Sequence, residues 1–325
     1  MKYIYILIFF SACLLSNEYE VGYGYKVNDR LHISGYISTE YSVGNGYNKF
    51  EFDDFALLAY GSLSPKFSYF VELEASSLYS YDFGTRVSHK NMITHVERAY
   101  VDYSVSNTYK IRLGKQITPI GYWNYEPINV LRDTTSNPVY SYRMFPKLLS
   151  GIDLYGSVTE DNHFNYHVFI QASKDLDEEA LNIKSVYFYG LSLNYDINTF
   201  ASLGGSVGNY KIRNTNQIVS LFQFNAKYKN DVGEIKTEFA YNSVNDDTLN
   251  TNKQSFVGYL QGKYNINEKH ALISRYEYIN EEDIRHIAIL GYSYRPIYAV
   301  SLKAEYQVHP DALHDKILMS FSILF

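Results

Sequence analysis

The side chains most suited to binding or catalysis lie in one stretch of the chain, residues 110–147. This stretch carries charges of both signs, and in its later part they stand among aromatic and proline residues near the only tryptophan, Trp123. Grouped charges of this kind select ions, with Arg and Lys favouring anions and Asp and Glu favouring cations. The alternative for each of them is a solvated loop residue. The candidates are Lys110, Arg112, Lys115, Glu126, Arg132, Asp133, Arg143 and Lys147.

Catalytic or metal chemistry has weaker support in the sequence. Covalent catalysis needs a nucleophile, a base and an orienting group held together, and the nine histidines are spread out with no Ser/His/Asx grouping. His163 and His167 are four residues apart and would share a face of one strand, but no carboxylate or further histidine completes a metal site there. We therefore predict no catalytic residues, no metal and no cofactor.

The overall composition narrows the class of protein. The chain has 325 residues, of which 35 are Tyr and 19 are Phe, and a formal net charge of −6. The acidic balance argues against a nucleic-acid partner. A mean hydropathy of −0.27 excludes a bundle of membrane helices, since each helix needs about 20 mostly apolar residues. The tyrosine excess is typical of a protein with wide polar–apolar boundaries.

The elements that position these residues are strands. After residue 17 the chain alternates between apolar and polar residues; in 300–308, for example, Val, Leu, Ala, Tyr and Val alternate with Ser, Lys, Glu and Gln. A strand with this pattern has one apolar and one polar face. The pattern predicts sixteen strands, at 31–41, 52–63, 67–76, 95–105, 109–116, 150–158, 164–171, 186–195, 201–211, 217–229, 232–243, 254–264, 270–280, 284–294, 300–308 and 316–325.

Three features favour a membrane barrel over a soluble sandwich. The segments have about the length of a tilted strand that crosses a bilayer. Aromatic residues lie near their ends, short connections alternate with mostly longer ones, and all seven prolines fall in the connections. We therefore predict an all-β fold, a transmembrane antiparallel β-barrel over residues 31–325, integral to a bacterial outer membrane.

The third long connection, residues 117–149, contains four of the seven prolines. A connection of this length without a periodic element is usually functional or disordered, and its aromatic residues and prolines argue against disorder. We predict that it folds inward and narrows the water-filled interior that sixteen strands leave open. Inward-facing charges such as Lys236, Glu238, Lys303 and Glu305 are interpreted as solvated groups of that interior.

The two chain ends carry targeting signals. Residues 1–16 combine Lys2, an apolar run and small residues, which predicts a signal peptide cleaved after Ala12 or Ser16. Cys13 offers a lipoprotein alternative, which Phe10 disfavours because Leu or Val is usual there. Residues 17–30 are an N-terminal periplasmic or lumen segment, or an extra strand. At the other end, an apolar residue at every second position resembles the signal read by the outer-membrane insertion machinery, through Phe321, Ile323 and Phe325.

A family resemblance rests on short motifs. Residues 111–121 and the aromatic, proline-rich loop that follows resemble the phosphate-selective porin superfamily, and residues 22–26 and 33–36 resemble porins of Campylobacter-related bacteria. The resemblance implies a sixteen-stranded, trimeric channel for small hydrophilic solutes. It does not imply phosphate specificity, because the arginine ladder and lysine cluster of the specialised members are missing. An anion site would use Lys110, Arg112, Lys115, Arg132, Arg143 and Lys147.

The expected function is therefore passive diffusion of small hydrophilic solutes and ions through an outer-membrane porin. Expected partners are outer-membrane lipid and lipopolysaccharide, the solutes, two further copies in a homotrimer, and the insertion machinery. The alternatives are an outer-membrane barrel enzyme such as a phospholipase and a structural or adhesive protein. A gated transporter would need about 22 strands and a plug domain, for which the chain is too short.

Overall fold

The computed structural model describes residues 19–158, 163–177, 182–246, 251–281 and 283–325. The predicted signal peptide of residues 1–16 lies outside the described residues. The strands are β1 (Tyr19–Glu20), β2 (Gly24–Asn28), β3 (Leu31–Gly44), β4 (Tyr47–Ser64), β5 (Phe67–Asp82), β6 (Val87–His89), β7 (Ile93–Ser104), β8 (Tyr109–Ile117), β9 (Leu148–Ser157), β10 (Phe164–Gln171), β11 (Ser185–Asp196), β12 (Ala201–Ile212), β13 (Gln217–Lys229), β14 (Gly233–Asp246), β15 (Thr251–Asn265), β16 (His270–Asn280), β17 (Ile284–Ile297), β18 (Val300–Val308) and β19 (Lys316–Leu324).

Within the residues that the structure describes, helical structure is confined to short turns between the strands. These are the α-helix α1 (Tyr140–Arg143) and the 3₁₀ turns Trp123–Tyr125, Asn129–Leu131 and Ala312–His314. No helix in the described ranges is long and apolar enough to cross a membrane.

The strands form one closed antiparallel sheet. Each of the sixteen long strands pairs with its sequence neighbours, and β19 returns to pair with β3, where Met319 lies opposite Tyr41. The terminal Phe325 and Gly35 exchange two backbone hydrogen bonds of 2.8 Å each. All sixteen predicted strands are confirmed, while β1, β2 and β6 are short additions. Strand β2 pairs antiparallel with the start of β3, where Tyr25 lies opposite Ile33, and β1 pairs antiparallel with β2.

The barrel wall is polar inside and apolar outside. Along β18, Lys303 and Glu305 are buried while Leu302 and Tyr306 are 42% and 43% exposed. On β19, Ser320 is buried and Phe321 is 41% exposed. Soluble proteins arrange their side chains in the opposite way. The apolar residues of the two-residue alternation therefore lie on the outer surface of the barrel. Alternation alone does not tell whether the apolar face points inward or outward.

Two predicted connections are wrong in detail. Residues 42–51 are not a long loop, because β3 and β4 continue to a turn at residues 45–46 in which Gly46 has a φ of +84°. Pro296 is not in a connection but inside β17. The register between β17 and β18 shifts between Tyr294 and Ile297. The missing N–H of Pro296 therefore falls where the ladder is already interrupted.

Candidate functional site

The connection between β8 and β9, residues 118–147, is here termed the inner loop. It contacts Glu97 on β7 and Ser202 on β12, and on the far side of the sheet Glu277 on β16 and Ser320 on β19. One segment can reach strands all around a closed sheet only from within it. The inner loop therefore lies inside the barrel.

Buried carboxylates on every second strand hold the backbone of the inner loop. Glu238 on β14 accepts hydrogen bonds from the amides of Tyr122 at 2.7 Å and Trp123 at 2.8 Å. Glu277 on β16 accepts one from the amide of Val139 at 2.7 Å. Hydrogen bonds to ionised groups are about twice as strong as neutral ones, so these are strong attachments.

Glu305 on β18 continues the series. It accepts hydrogen bonds from the amides of Thr135 at 3.0 Å and Ser136 at 3.2 Å. A loop removed from solvent must find partners for its backbone N–H groups, and the wall supplies them here as carboxylates.

Buried cations from the same strands satisfy the loop's oxygen atoms. The Lys303 ammonium donates to the carbonyls of Asn129 at 2.6 Å and Thr134 at 3.1 Å. The Arg275 guanidinium donates to the hydroxyls of Thr134 at 2.6 Å and Ser136 at 2.7 Å. Arg295 on β17 also donates to loop carbonyls.

This half of the inner face is here termed the anchoring wall; it comprises Lys236, Glu238, Arg275, Glu277, Lys303 and Glu305. The prediction that Lys236, Glu238, Lys303 and Glu305 point inward is confirmed by their burial. Their interpretation as solvated charges is wrong, because the inner loop covers them and takes up their hydrogen bonds.

Apolar packing adds to these polar attachments. Trp123 and Tyr140 of the inner loop are 2% and 0% exposed. At Gly121, whose φ is +71°, an added Cβ would lie 1.9 Å from a Glu238 oxygen. The backbone can therefore approach this carboxylate only at a glycine. The Trp123 and Tyr140 side chains belong to one apolar cluster that joins loop residues to inward-facing wall residues: Ile120, Trp123, Val139, Tyr140, Met144, Phe145, Leu149, Phe169, Phe188, Tyr210, Val219, Leu221, Ala240, Val257, Tyr259 and Ile279.

The opposite half of the inner face is here termed the acidic wall; it comprises Glu40, Glu51, Asp53, Asp54, Glu74 and Glu97 on β3, β4, β5 and β7. All but Glu97 are only partly buried. Glu40 and Glu51 lie directly opposite each other in the β3–β4 register. Like charges placed opposite each other destabilise a sheet, and here Lys49, whose Nζ lies 2.5 Å from Glu51 Oε1, offsets part of the repulsion.

Two β-bulges add carboxylates to the acidic wall. The β4 ladder passes from Phe52 to Asp54 and leaves Asp53 as the extra residue. The β7 ladder passes from Val96 to Arg98 and leaves Glu97 as the extra residue. Bulges re-aim side chains and are frequent beside functional sites.

Two predicted site residues of the inner loop face the acidic wall. Lys147 Nζ lies 3.1 Å from Glu97 Oε1. Arg132 donates to the carbonyl of Glu126 at 2.7 Å, and its charge acts on both Asp53 and Asp54.

Two others face the anchoring wall instead. Glu126 lies 3.2 Å from Lys236 Nζ, and Asp133 lies 2.7 Å from Lys263 Nζ. Burial opposes the charge of Asp133, yet Lys236 and Lys263 hold the pKa of this carboxyl below its ordinary value.

The remaining four candidates do not join a common cluster. Arg112 is bound by both oxygens of Asp102, at 2.8 and 2.9 Å. Lys115 is fully buried and lies 3.7 Å from Asp175. Lys110 is exposed on β8, and Arg143 pairs with Glu281 at the loop end of the barrel.

Histidine positions reveal one unpredicted pair and one omission. Asp153 of the neighbouring strand lies 2.8 Å from Nδ1 of His167, but among the described residues this pair is not part of a group of three metal ligands. The omission is a close group of Glu74, His95 and Glu97, whose ligand atoms all lie within 4.8 Å of one another. The available signal was the spacing of His95 and Glu97, two residues apart and so on one face of a strand.

Comparisons with known proteins identify the fold. No protein-family model matches the sequence, and no curated protein is a significant match.

Solved structures do resemble the chain. An anion-selective porin from Comamonas acidovorans shares 12% identity at a TM-score of 0.62 and covers 91% of this chain and 99% of its own. OmpF of Salmonella typhi, in complex with daunomycin, shares 11% identity at a TM-score of 0.65 over 91% and 98%. The trimer form of OmpT, an outer membrane protein of Vibrio cholerae, shares 12% identity at a TM-score of 0.61 over 91% and 99%. The chain therefore has a porin-type fold.

Proposed function

We propose that this protein is an outer-membrane porin that allows small hydrophilic solutes and ions to diffuse passively. One observation carries the proposal: the inner loop is hydrogen-bonded to the buried charges of the anchoring wall and packs through Ile128 and Val130 against β3 and β4, yet five carboxylates of the acidic wall stay partly exposed near Arg132 and Lys147. A narrowed, charged passage across an apolar-surfaced barrel is the arrangement of a diffusion channel.

The setting of the barrel belongs to the same proposal. Its exposed apolar outer face suits lipid, and every backbone group of a closed sheet is paired, as lipid requires. We place it in a bacterial outer membrane with lipopolysaccharide as a neighbour, as a homotrimer in the manner of the trimeric neighbour. Phe321, Ile323 and Phe325 are proposed to be read by the insertion machinery. The finer relation to phosphate-selective porins stays a proposal resting on the short motifs.

The proposed passage favours cations. The acidic wall has five partly buried carboxylates, of which Glu51 is paired with Lys49. Three of the basic candidates are also paired: Arg112 with Asp102, Lys115 with Asp175 and Arg143 with Glu281. Arg132 and Lys147 form the basic edge of the passage, where Lys147 is paired with Glu97. An acidic excess at a constriction attracts cations.

An enzymatic role has less support. The His167–Asp153 pair resembles half of a catalytic group, but the hydroxyl of Tyr125 lies 3.3 Å from His167 Nε2, where a nucleophile would be needed. We propose a non-catalytic protein.

Planar-bilayer recording of the purified barrel tests this function. We expect stable ohmic steps and, in a salt gradient, a reversal potential of cation-selective sign. Asp53→Asn should move that potential towards anion permeation, whereas the control Glu281→Gln, which removes one carboxylate outside the acidic wall, should move it less. Folded protein, recognised by heat-modifiable migration on a gel, that gives no conductance would refute the channel.

A further inference from the structure

Three side chains of the acidic wall are arranged around one point. Glu74 on β5 lies directly opposite His95 on β7 in the register of the two strands. Glu97 is the extra residue of the β7 bulge. His95 Nε2 lies 3.5 Å from Glu74 Oε1 and 3.3 Å from Glu97 Oε2. The imidazole thus stands between two carboxylate oxygens from neighbouring strands.

These distances fit ligands of a metal ion better than hydrogen-bonded partners. A charge-assisted hydrogen bond would bring the atoms to about 2.7–2.9 Å. Ligand atoms about 2.0–2.1 Å from a tetrahedral Zn²⁺ lie about 3.3–3.4 Å from one another. Both distances from His95 Nε2 are close to that spacing, and the three ligand atoms stay within 4.8 Å of one another.

The second oxygen of each carboxylate already has a protein partner. The hydroxyl of Tyr36 is shared between Glu72 Oε1 and Glu74 Oε2. Lys147 Nζ of the inner loop donates to Glu97 Oε1 at 3.1 Å. Each carboxylate therefore presents its other oxygen towards His95. A neutral hydroxyl that fixes a ligand's free side, as that of Tyr36 does for Glu74, orients the ligands of metal sites in proteins.

We propose that Glu74, His95 and Glu97 form a binding site for a borderline divalent cation of the Zn²⁺ class. One imidazole with two carboxylates suits such ions. Three protein ligands leave a further position open to water or solute. Lys147 is a tethered cation that competes with the metal for Glu97. The site's place beside a passage rests on the proposed porin function, whereas the binding itself does not.

Titration of the detergent-folded, full-length protein with Zn²⁺, followed by calorimetry, tests the site. We expect one saturable equivalent. His95→Gln and Glu97→Gln should each weaken binding by at least about tenfold. Lys147→Gln should tighten it, because the competing charge is gone, and a merely structural role for these residues would not produce that gain.

His167→Gln is the matched control, because His167 also pairs with a carboxylate on the inner face. It should bind Zn²⁺ like the wild type. Absence of saturable binding, or equal binding by the wild type and His95→Gln, overturns the proposal. Conductance recorded without Zn²⁺ separates the two proposals: a conducting barrel that does not bind the metal removes the site alone. A non-conducting barrel that binds it removes the channel alone.

Discussion

The two halves of the inner face use the same residue types for opposite purposes. On the anchoring wall, Glu238 and Lys303 are buried, and each makes several hydrogen bonds to the inner loop. On the acidic wall, Glu40 and Glu51 face each other, partly exposed. A charge inside a barrel can therefore be a structural attachment or a group available to solutes. What separates the two is whether the inner loop covers it.

The strongest test of this contrast is to remove one carboxylate from each half. Glu238→Ala leaves the amides of Tyr122 and Trp123 without their acceptor, at about 1–3 kcal/mol for each unpaired donor. We expect the inner loop to be released, with larger conductance and faster proteolysis of the loop. Glu74→Ala should do neither, since the Tyr36 hydroxyl keeps Glu72 at 2.9 Å. Equal loop release in both variants would erase the distinction between the walls.

A second test concerns the closest approach of the loop to the anchoring wall. Gly121→Ala places a Cβ 1.9 Å from a Glu238 oxygen at a φ of +71°. Gly46→Ala meets the same unfavourable backbone region, φ +84°, but has nothing within 4 Å of its Cβ. Each variant should lose about 1–2 kcal/mol of stability, because an alanine is strained in this backbone region. Gly121→Ala should lose more stability than Gly46→Ala. The measurement is the temperature at which the folded form no longer migrates separately on a gel, which should be lower for Gly121→Ala. An equally large loss of stability in Gly46→Ala would contradict the close contact at Gly121.

Acid offers a third test, at the Asp133 attachment. Although burial opposes its charge, Lys236 and Lys263 hold the pKa of Asp133 below its ordinary value in the folded protein. A depressed pKa stabilises the fold above the unfolded value, about 3.9, and this contribution is lost as the pH falls through the folded pKa. We expect constant loop attachment from pH 7 to 5 and weakening below about pH 4.

Limited proteolysis of the loop across this range measures the attachment. Asp133→Asn should already be weaker at pH 7 and should show a shallower acid dependence. If Asp133→Asn responds to acid in the same way as the wild type, the acid dependence of the loop attachment arises from other groups.

The smallest effect is expected when the ion pair of Arg143 and Glu281 is removed. Arg143 pairs with Glu281, but its side chain is 46% exposed. Exposed ion pairs contribute about 0–1 kcal/mol, so Arg143→Ala should barely change thermal stability. In a salt gradient its reversal potential should shift less than that of Arg132→Ala, because the charge of Arg132 acts on both Asp53 and Asp54. A larger shift for Arg143→Ala would move the selective region away from the acidic wall.

Sequence periodicity predicted the wall because each strand repeats a simple rule. Alternation placed Lys303 and Glu305 inward without any knowledge of their neighbours, and burial agrees. It failed where the period breaks: the bulges at Asp53 and Glu97 shift the inward frame by one residue.

The roles of the inward charges were beyond sequence reasoning for a different reason. The contact of Glu277 with the amide of Val139 joins residues 138 positions apart. No local pattern records such a partner, so a buried attachment and a solvated charge look the same in the sequence. The Asp153 partner of His167 was missed likewise, because it comes from the neighbouring strand.

The pairing of β3 with β19 has a consequence for how the protein folds. Gly35 and Phe325 bond across almost the whole chain, so the first long strand waits for the last one. Contacts of such high sequence separation slow folding, because the entropy of closing the ring is lost before its hydrogen bonds form. Until then β3 and β19 are two open edges, each able to pair with another chain. Aggregation is therefore a hazard of the interval before closure.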